Sequence, residues 1–236
     1  MSTGKHKELK PGKRFVQAKA LVDKNKIYTI AEAIALAKKT ATAKYDEAIE
    51  LHVRLGIDPG KSDQQVRGTI ALPHGTGKTK KVAAFVEGDK EAEAKAAGAD
   101  IVGGDELIAE IAKTQTINFD VAVATPVMMP KLAKLARLLG PRGLMPNPKT
   151  DTVSANVVKM IQEQKAGKES FKNDNTGNIH QVFGRRSFTE ADLEVNLRAL
   201  LDQIKKMKPS ASKGIYIKNA SISSTIGPGI KMDANS

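Results

Sequence analysis

A glycine-rich segment, Gly75-Thr76-Gly77-Lys78-Thr79, offers the most direct chemistry in the chain, because it looks like the end of a phosphate-binding loop. Such a loop needs another glycine at position 72 and a helix after the last Thr, so that backbone N–H groups surround a phosphate. Position 72 is a leucine, and residues 80–86 are typical of a strand. We therefore predict a glycine hinge at Gly75 and Gly77. A nucleotide-dependent enzyme that uses residues 75–79 is the alternative.

No other motif in the sequence indicates catalysis or metal binding. His6, His52, His74 and His180 show no metal-ligand spacing, and the chain has no cysteine that could join them. No Gly-x-Ser-x-Gly nucleophile motif occurs, and no pair of carboxylates has a distinctive setting. The sequence thus predicts no catalytic residue, no metal site and no cofactor.

Two other segments have the chemistry for contact with a sugar–phosphate chain. Residues 48–55 alternate apolar and polar side chains, which places Glu50, His52 and Arg54 on one face of a strand. In residues 223–229, Ser-Ser-Thr-Ile-Gly-Pro-Gly, three hydroxyls adjoin a turn that exposes backbone N–H groups. Taken singly, the first segment could be a solvated face and the second an ordinary turn.

Positive charge is concentrated in the two ends of the chain. Residues 1–74 hold 14 Lys+Arg against 8 Asp+Glu, residues 168–236 hold 11 against 7, and residues 75–167 hold 13 against 11. The ends therefore carry +10 of the formal +12, which indicates that they fold together as a cationic unit with a phosphate-rich partner. Aromatic residues make up only 4%, so structured nucleic acid is favoured over base stacking on single strands.

Composition also limits the cellular setting. An apolar content of 40% in 236 residues allows a sizeable core in one or two domains. The basic first 14 residues are not followed by the apolar core of a signal peptide, and the most apolar region, residues 121–139, is interrupted by prolines and cations. We expect a soluble, cytoplasmic protein with no membrane partner.

The ends and the middle of the chain follow different structural patterns. In the ends, helices near 14–22 and 30–41 precede strands at 48–55 and 66–72, and two short strands flank a predicted hairpin tip at 173–178. Thr29 with Glu32 forms a capping box, and Thr189 begins a long amphipathic helix that Pro209 ends before a strand at 215–222. These features are typical of an α+β layer.

In the middle, continuous apolar strands at 82–86, 101–102 and 121–125 alternate with helices near 90–97, 105–113 and up to 139. This pattern predicts a parallel sheet covered on both faces. The loop at 140–148 separates these elements from a last helix, with Ser154 as N-cap and an end near Gly167. The predicted fold class is α/β with two domains. Residues 1–74 and 168–236 are predicted to form a cationic α+β domain, and residues 75–167 an inserted Rossmann-like α/β domain.

Several motifs, in order between about residues 13 and 231, resemble those of the bacterial large-subunit ribosomal protein L-one family. The motifs are Ala43-Lys44-Tyr45-Asp46-Glu47, Leu55-Gly56-Ile57-Asp58-Pro59, Val66-Arg67-Gly68-Thr69, Leu72-Pro73-His74-Gly75, Leu139-Gly140-Pro141-Arg142-Gly143-Leu144-Met145-Pro146-Asn147-Pro148, Asn173-Asp174 with Thr176-Gly177, and Thr225-Ile226-Gly227-Pro228. The loop at 140–148 is the most specific of them, and we assign it mainly to the structure of the inserted domain.

The resemblance implies a structural protein that binds large-subunit ribosomal RNA, forms the mobile stalk and assists release of deacylated tRNA from the exit site. It also implies repression of translation of its own operon through a similar mRNA structure, and a monomer when free. The RNA-binding residues that it implies are Lys44, Tyr45, Glu50, His52, Arg54, Asp174, Thr176, Ser223, Ser224, Thr225, Ile226, Gly227 and Pro228. Gly75, Gly77 and Gly167, where the chain crosses between the domains, are expected to act as hinges.

Two of these positions depart from the family pattern. The family commonly has Phe at the position of Tyr45 and Met at that of Ile226, and in each case this chain keeps an aromatic ring or apolar bulk. Glu50 is unusual on a phosphate-binding face, and we hypothesise that it accepts hydrogen bonds from ribose hydroxyls or orients a neighbouring cation.

Overall fold

A computed structural model describes residues 11–234, except for the side chain of Lys149. The eight α-helices of this part of the chain are α1 (Lys13–Ala20), α2 (Ile30–Thr40), α3 (Gly88–Ala96), α4 (Asp105–Thr114), α5 (Met129–Leu132), α6 (Ala136–Leu139), α7 (Val157–Lys165) and α8 (Glu190–Lys206). Four short 3-10 turns lie at Ser62–Gln64, Pro126–Met128, Ala133–Leu135 and Pro148–Thr150. None of the helices in residues 11–234 is long and apolar enough to cross a membrane.

Nine strands form three sheets within the same residues. They are β1 (Ala48–Leu55), β2 (Arg67–Ala71), β3 (Val82–Phe85), β4 (Ile101–Gly103), β5 (Val121–Ala124), β6 (Lys168–Lys172), β7 (Asn178–Arg185), β8 (Ile217–Ser224) and β9 (Ile230–Met232). The sheet orders are β7-β1-β8-β9, β2-β6 and β4-β3-β5. The first two sheets come from the ends of the chain and the third from the middle.

The four-stranded sheet is antiparallel and buries one of its two faces. Ile49, Leu51, Val53 and Leu55 of β1 are buried, as their alternation predicted. They share a core with α2 and α8, whose apolar sides include Ile34 and Leu197. Both helices begin at the predicted caps, because Thr29 and Glu32 form a capping box and Thr189 accepts the N–H of Asp192. The opposite face of the sheet carries polar side chains.

The predicted hairpin at 173–178 is wrong. Strand β6 pairs with β2, from Arg67 opposite Lys172 to Ala71 opposite Lys168, whereas β7 pairs with β1 in the other sheet. The turn therefore joins two sheets. Two apolar residues of the small sheet, Ile70 and Phe171, reach the core of the four-stranded sheet, and this burial favours the long-range pairing over a local hairpin.

The sheet from the middle of the chain is parallel, with apolar packing on both faces. One core joins Ala83 and Phe85 to α4 and to the segment 126–139. The other joins Val82 and Ala84 to α3 and α7. The segment 126–139 consists of short α and 3-10 helices in succession. The predicted N-cap of α7 is wrong. Asn156 caps this helix by accepting the N–H of Lys159, while Ser154 accepts the N–H of Asn156. The α/β class with an inserted small parallel sheet is confirmed.

The chain crosses between the outer and middle segments at two glycines that touch. Gly75 and Gly167 both have positive φ, +62° and +94°, and a Cβ added to Gly167 would lie 2.9 Å from the Cα of Gly75. Asn196, buried in α8, donates to the carbonyl of Gly75 at 3.0 Å and accepts the N–H of His74 at 3.0 Å. A third hydrogen bond from Asn196, to the carbonyl of Phe183, ties the first crossing to β7.

Candidate nucleic-acid interface

The solvent-facing side of the four-stranded sheet, which we call the polar face, brings together residues from four strands. In its middle row, His180 lies opposite His52, His52 opposite Ser221, and Ser221 opposite Lys231. The row on one side places Glu50 between Val182 and Ser223, and the row on the other side places Arg54 between Asn178 and Asn219. The register thus joins residues that are far apart in sequence.

A chain of contacts runs across this face. Asp174 Oδ2 lies 3.5 Å from His180 Nε2, the Nδ1 atoms of His180 and His52 are 2.8 Å apart, and His52 Nε2 is 2.9 Å from Ser223 Oγ. When both imidazoles are neutral and the proton of His180 is on Nε2, facing the carboxylate, His52 Nδ1 donates to His180 Nδ1. In this tautomer the hydroxyl of Ser223 donates to His52 Nε2, and its lone pairs can accept from an outside donor such as a ribose hydroxyl.

Protonation of both imidazoles at once would break the contact between His52 and His180. The 2.8 Å bond holds a single proton between two nitrogens, so it requires one unprotonated Nδ1. Burial, followed by the charge of His180, lowers the pKa of His52 from its ordinary 6.5, while the charge of Glu50 opposes the shift. The structure thus favours a neutral His52.

Cations collect at the edge of the polar face. Arg54, Lys218 and Lys231 line a cavity of about 420 Å³ together with Asn219. All three cations are exposed, and their side chains have no hydrogen bond or ion pair with any other residue in 11–234. Unpaired cations beside hydroxyl and amide groups are suited to binding phosphate and sugar.

The turn that holds Asp174 and Thr176 satisfies its polar groups internally. The Asp174 carboxylate accepts the backbone N–H of Asn178 at 2.7 Å and that of Thr176 at 2.9 Å, together with the Thr176 hydroxyl. These bonds, the one from Asn178 first, hold the pKa of Asp174 far below its usual range. Both side chains therefore shape the turn at the edge of the polar face.

At the other edge, buried Glu47 joins two loops. Its carboxylate accepts the N–H of Ala43 at 2.6 Å and that of Ile226 at 3.2 Å. Lys44, Tyr45 and Ile226 project from these loops, and the exposed fractions of Tyr45 and Ile226 are 52% and 43%. An aromatic ring and an aliphatic side chain are therefore held exposed at the end of the sheet.

The segment 223–228 divides between exposed and supporting residues. The Thr225 hydroxyl accepts the N–H of Ala48 at 3.1 Å and extends the pairing of β1 and β8. Ser224 is buried, like Pro228, and its hydroxyl lies beneath Gly227, where an added Cβ would come within 2.4 Å of Ser224 Oγ. Ser223 is thus the serine of this pair that faces outward.

Sequence reasoning missed several of these residues. His180, Ser221, Lys218 and Lys231 complete the polar face, and Glu47 supports it, but none was predicted as part of the site. A period of two along β8 pairs Ser221 with Ser223 and separates both from Ser224, so that signal was available. The contact between His52 and His180 spans 128 positions and has no local signal.

The glycine-rich segment at 75–79 does not form a phosphate loop. Lys78 is paired with Asp120 at 2.7 Å, and β3 rather than a helix follows. Gly77 has a φ of +71° and packs against Arg185 and Phe188. Across residues 11–234, no group of three or more His, Asp or Glu side chains could hold a metal ion.

Comparison with known proteins gives the family. Residues 37–228 match the Ribosomal protein L1p/L10e family. A protein of Kosmotoga olearia named large ribosomal subunit protein uL1 is 55% identical over 224 residues, which cover 95% of this chain and 96% of that protein. A protein of the same name from Streptomyces virginiae is 54% identical, and the alignment covers 96% of this chain and 94% of that protein. One from Streptomyces avermitilis is 53% identical, with coverage of 96% and 93%. The enzymatic alternative is therefore wrong, and the chain belongs to the Ribosomal protein L1p/L10e family, as a structural, non-enzymatic constituent of the large subunit of the cytoplasmic ribosome.

Proposed function

We propose that the polar face and its two flanking loops bind a structured site on large-subunit ribosomal RNA. The observation that carries this proposal is the set of unpaired cations, Arg54, Lys218 and Lys231, next to a row of hydroxyl and imidazole groups on the side of the sheet that the core does not use. Association of the family with the large subunit supports RNA as the partner.

Each part of the surface has a distinct role in this proposal. Arg54, Lys218 and Lys231 contact phosphates, which gives affinity without sequence preference. Ser223 and Glu50 accept hydrogen bonds from ribose hydroxyls, a contact that favours RNA over DNA. Tyr45 and Ile226 pack against bases or sugars.

Other residues implied by the family resemblance act by fixing the shape of the surface. Asp174 and Thr176 hold the turn beside His180, and Ser224, Gly227 and Pro228 set the path of the loop that presents Ile226. Lys44 and Thr225 stay exposed at the same edge and contact the RNA backbone.

We also propose that the chain has two domains, residues 1–74 with 168–236 and residues 75–167, which move about Gly75, Gly77 and Gly167. Residues 1–10 of the first domain lie outside the described residues. Separate hydrophobic cores for the outer sheet and the parallel sheet support this division. Movement about two adjacent crossings would let the protein form the mobile stalk and assist release of deacylated tRNA from the exit site.

The same surface serves regulation in this proposal. A monomer that is not in the ribosome binds a similar structure in the mRNA of its own operon and represses translation. Because one face binds both RNAs, ribosomal RNA and the mRNA compete for it. A competition experiment with the two RNAs therefore tests this role, and simultaneous binding of both would contradict it.

The test of the RNA-binding proposal is equilibrium binding of large-subunit ribosomal RNA to folded variants. Thr225→Val removes a hydroxyl, and Gly227→Val adds a side chain that would press on Ser224 and shift the loop, so each should weaken binding by about 1–3 kcal/mol. Arg54→Gln should weaken binding and make its salt dependence shallower by about one unit of slope. Lys113→Gln, an exposed change on α4, is the control. Wild-type affinity in all three variants would contradict the proposal.

A further inference from the structure

A second concave surface lies between the β2–β6 sheet and the segment 140–147. This cleft has a volume of about 580 Å³, within the range of sites that hold a nucleotide-sized group. The cations that line it are Arg67, Lys78, Lys80 and Lys172, and the acids that line it are Asp120 and Glu169. The net formal charge of its wall is therefore +2.

Two of the four cations have no ion-pair partner among the acids of the cleft. Lys78 is bound to Asp120 at 2.7 Å, and Lys80 is bound to Glu169 at 2.9 Å. Arg67 and Lys172 have no ion pair or hydrogen bond from their side chains to any other residue in the described part of the chain. Both acids of the cleft are thus occupied, and the excess charge belongs to this Arg–Lys pair.

The position of the pair makes its lack of a partner notable. Arg67 and Lys172 are directly opposite each other in the β2–β6 ladder, where like charges are destabilising. Arg67 is also half-buried, so part of its guanidinium hydration is lost. At the other end of the same sheet, Lys168 is neutralised by Asp151 at 3.0 Å and Glu163 at 2.7 Å. An anion between Arg67 and Lys172 would remove the repulsion at their end.

The pair is continuous with the polar face. Asn173, the residue after Lys172, exchanges backbone and side-chain hydrogen bonds with Val66, the residue before Arg67. The next residue, Asp174, begins the turn at the edge of the polar face and contacts His180. A nucleic-acid strand that passes this turn would reach both cations.

We propose that the Arg67–Lys172 cleft binds the phosphodiester backbone of the same ribosomal RNA, as a second contact beyond the polar face. This inference rests on the proposed RNA-binding function. The guanidinium of Arg67 can hold two oxygens of one phosphate, and Lys172 supplies a point charge to the same or the adjacent phosphate. Ser170, exposed on the same side of β6, adds a hydroxyl donor. A free nucleotide has the same phosphate chemistry, so the test includes it as a separate probe.

The experiment compares Arg67→Gln/Lys172→Gln with the matched control Lys113→Gln/Arg137→Gln, which removes the same two charge types from residues that do not line the cleft. Binding of large-subunit ribosomal RNA is measured over a salt series. We expect the cleft variant to lose about tenfold in affinity at physiological salt, with a salt dependence shallower by about two units of slope, and the control to match the wild type. The urea midpoint of the cleft variant should not fall, because the substitutions remove a repulsion.

Two results would overturn the inference. The first is a cleft variant with the affinity and salt dependence of the control while Arg54→Gln still weakens binding, which would leave the polar face as the whole site. The second is binding of Mg-ATP to the wild type that the cleft variant loses, which would make the ligand a free nucleotide. Failure of the wild type to bind the RNA at all would instead contradict the proposed function itself.

Discussion

The outer four-stranded sheet and the inserted three-stranded sheet use their faces differently. The antiparallel outer sheet buries one face against α2 and α8 and leaves the other to Glu50, His52 and Arg54. The parallel inserted sheet is covered on both faces, and all four residues of β3 are buried. Because only an antiparallel sheet of this kind keeps a free face, the charge-rich ends of the chain and not its middle can present a broad binding surface on strands.

The two regions also differ in what they bury. The outer region buries Glu47 and Asn196 completely, and each makes a hydrogen bond to a segment more than 100 positions away, Glu47 to Ile226 and Asn196 to Gly75. The cores of the inserted sheet are built from apolar side chains such as Val123 and Phe85. Buried polar groups in the outer region therefore position loops around the polar face, whereas the two faces of the inserted sheet are packed mainly by apolar side chains.

The largest effect is expected from a matched pair of polar substitutions in the two sheets. Val123→Asn places an amide without partners in a core of the inserted sheet and should cost about 4 kcal/mol of unfolding free energy. Val182→Asn lies on the partly exposed polar face and should cost less than about 1 kcal/mol. Urea unfolding measures both, and equal losses would contradict the difference between the sheets.

The next effect tests the buried carboxylate of the outer region. Glu47→Gln should cost about 3 kcal/mol, because an amide has one acceptor oxygen for the two backbone N–H groups that Glu47 now satisfies. Glu50→Gln is the control, since Glu50 lies three positions further along the chain, on the partly exposed face of β1, and its substitution should change the unfolding free energy by less than about 0.5 kcal/mol. A stable Glu47→Gln protein would show that the two loops hold without this support.

A glycine pair measures the contact between the two regions. Gly167→Ala should cost about 2–3 kcal/mol, because φ is +94° there and the new Cβ would press on Gly75. Gly98→Ala has nearly the same φ, +92°, with open space around it, and should cost only about 1 kcal/mol. The difference between the two losses, from thermal or urea unfolding, isolates the close crossing. Equal losses of unfolding free energy in the two variants would mean that the backbone at Gly75 and Gly167 shifts to accommodate the new Cβ without cost.

The smallest effect is a pH dependence that belongs to the outer region. Because the folded-state pKa of His52 is below its ordinary 6.5, the unfolded chain binds more protons in the interval between the two values. The contribution of His52 to stability is therefore complete above pH 6.5 and declines as the pH falls through the folded-state pKa. Solvent screening keeps it small. The urea midpoint between pH 7.5 and 5 should fall less in His52→Gln than in the wild type, and identical profiles would contradict the prediction.

Local patterns made much of the architecture predictable. Thr29 with Glu32, and Thr189, cap their helices as predicted, because a cap depends on residues that are only three positions apart. The alternation in β1 likewise predicted a sheet with one polar face, and the apolar runs of β3 and β5 predicted a parallel sheet covered on both faces. Asn156 replaced Ser154 as the cap of α7, since nearby polar residues compete for the same backbone N–H groups.

By itself, the sequence determined the two kinds of layer, the separation of charge between ends and middle, and the residues of β1 that turn away from the core. Only the tertiary structure decided that β6 leaves its neighbour β7 for β2, that His180 and Asp174 orient His52, and that Glu47 holds Ile226. The physical reason is the sequence separation over which each kind of interaction acts. Side-chain periodicity and capping act within a few residues. Strand register and buried hydrogen bonds join distant residues, such as Glu47 and Ile226 at 179 positions apart, and depend on how the whole core packs.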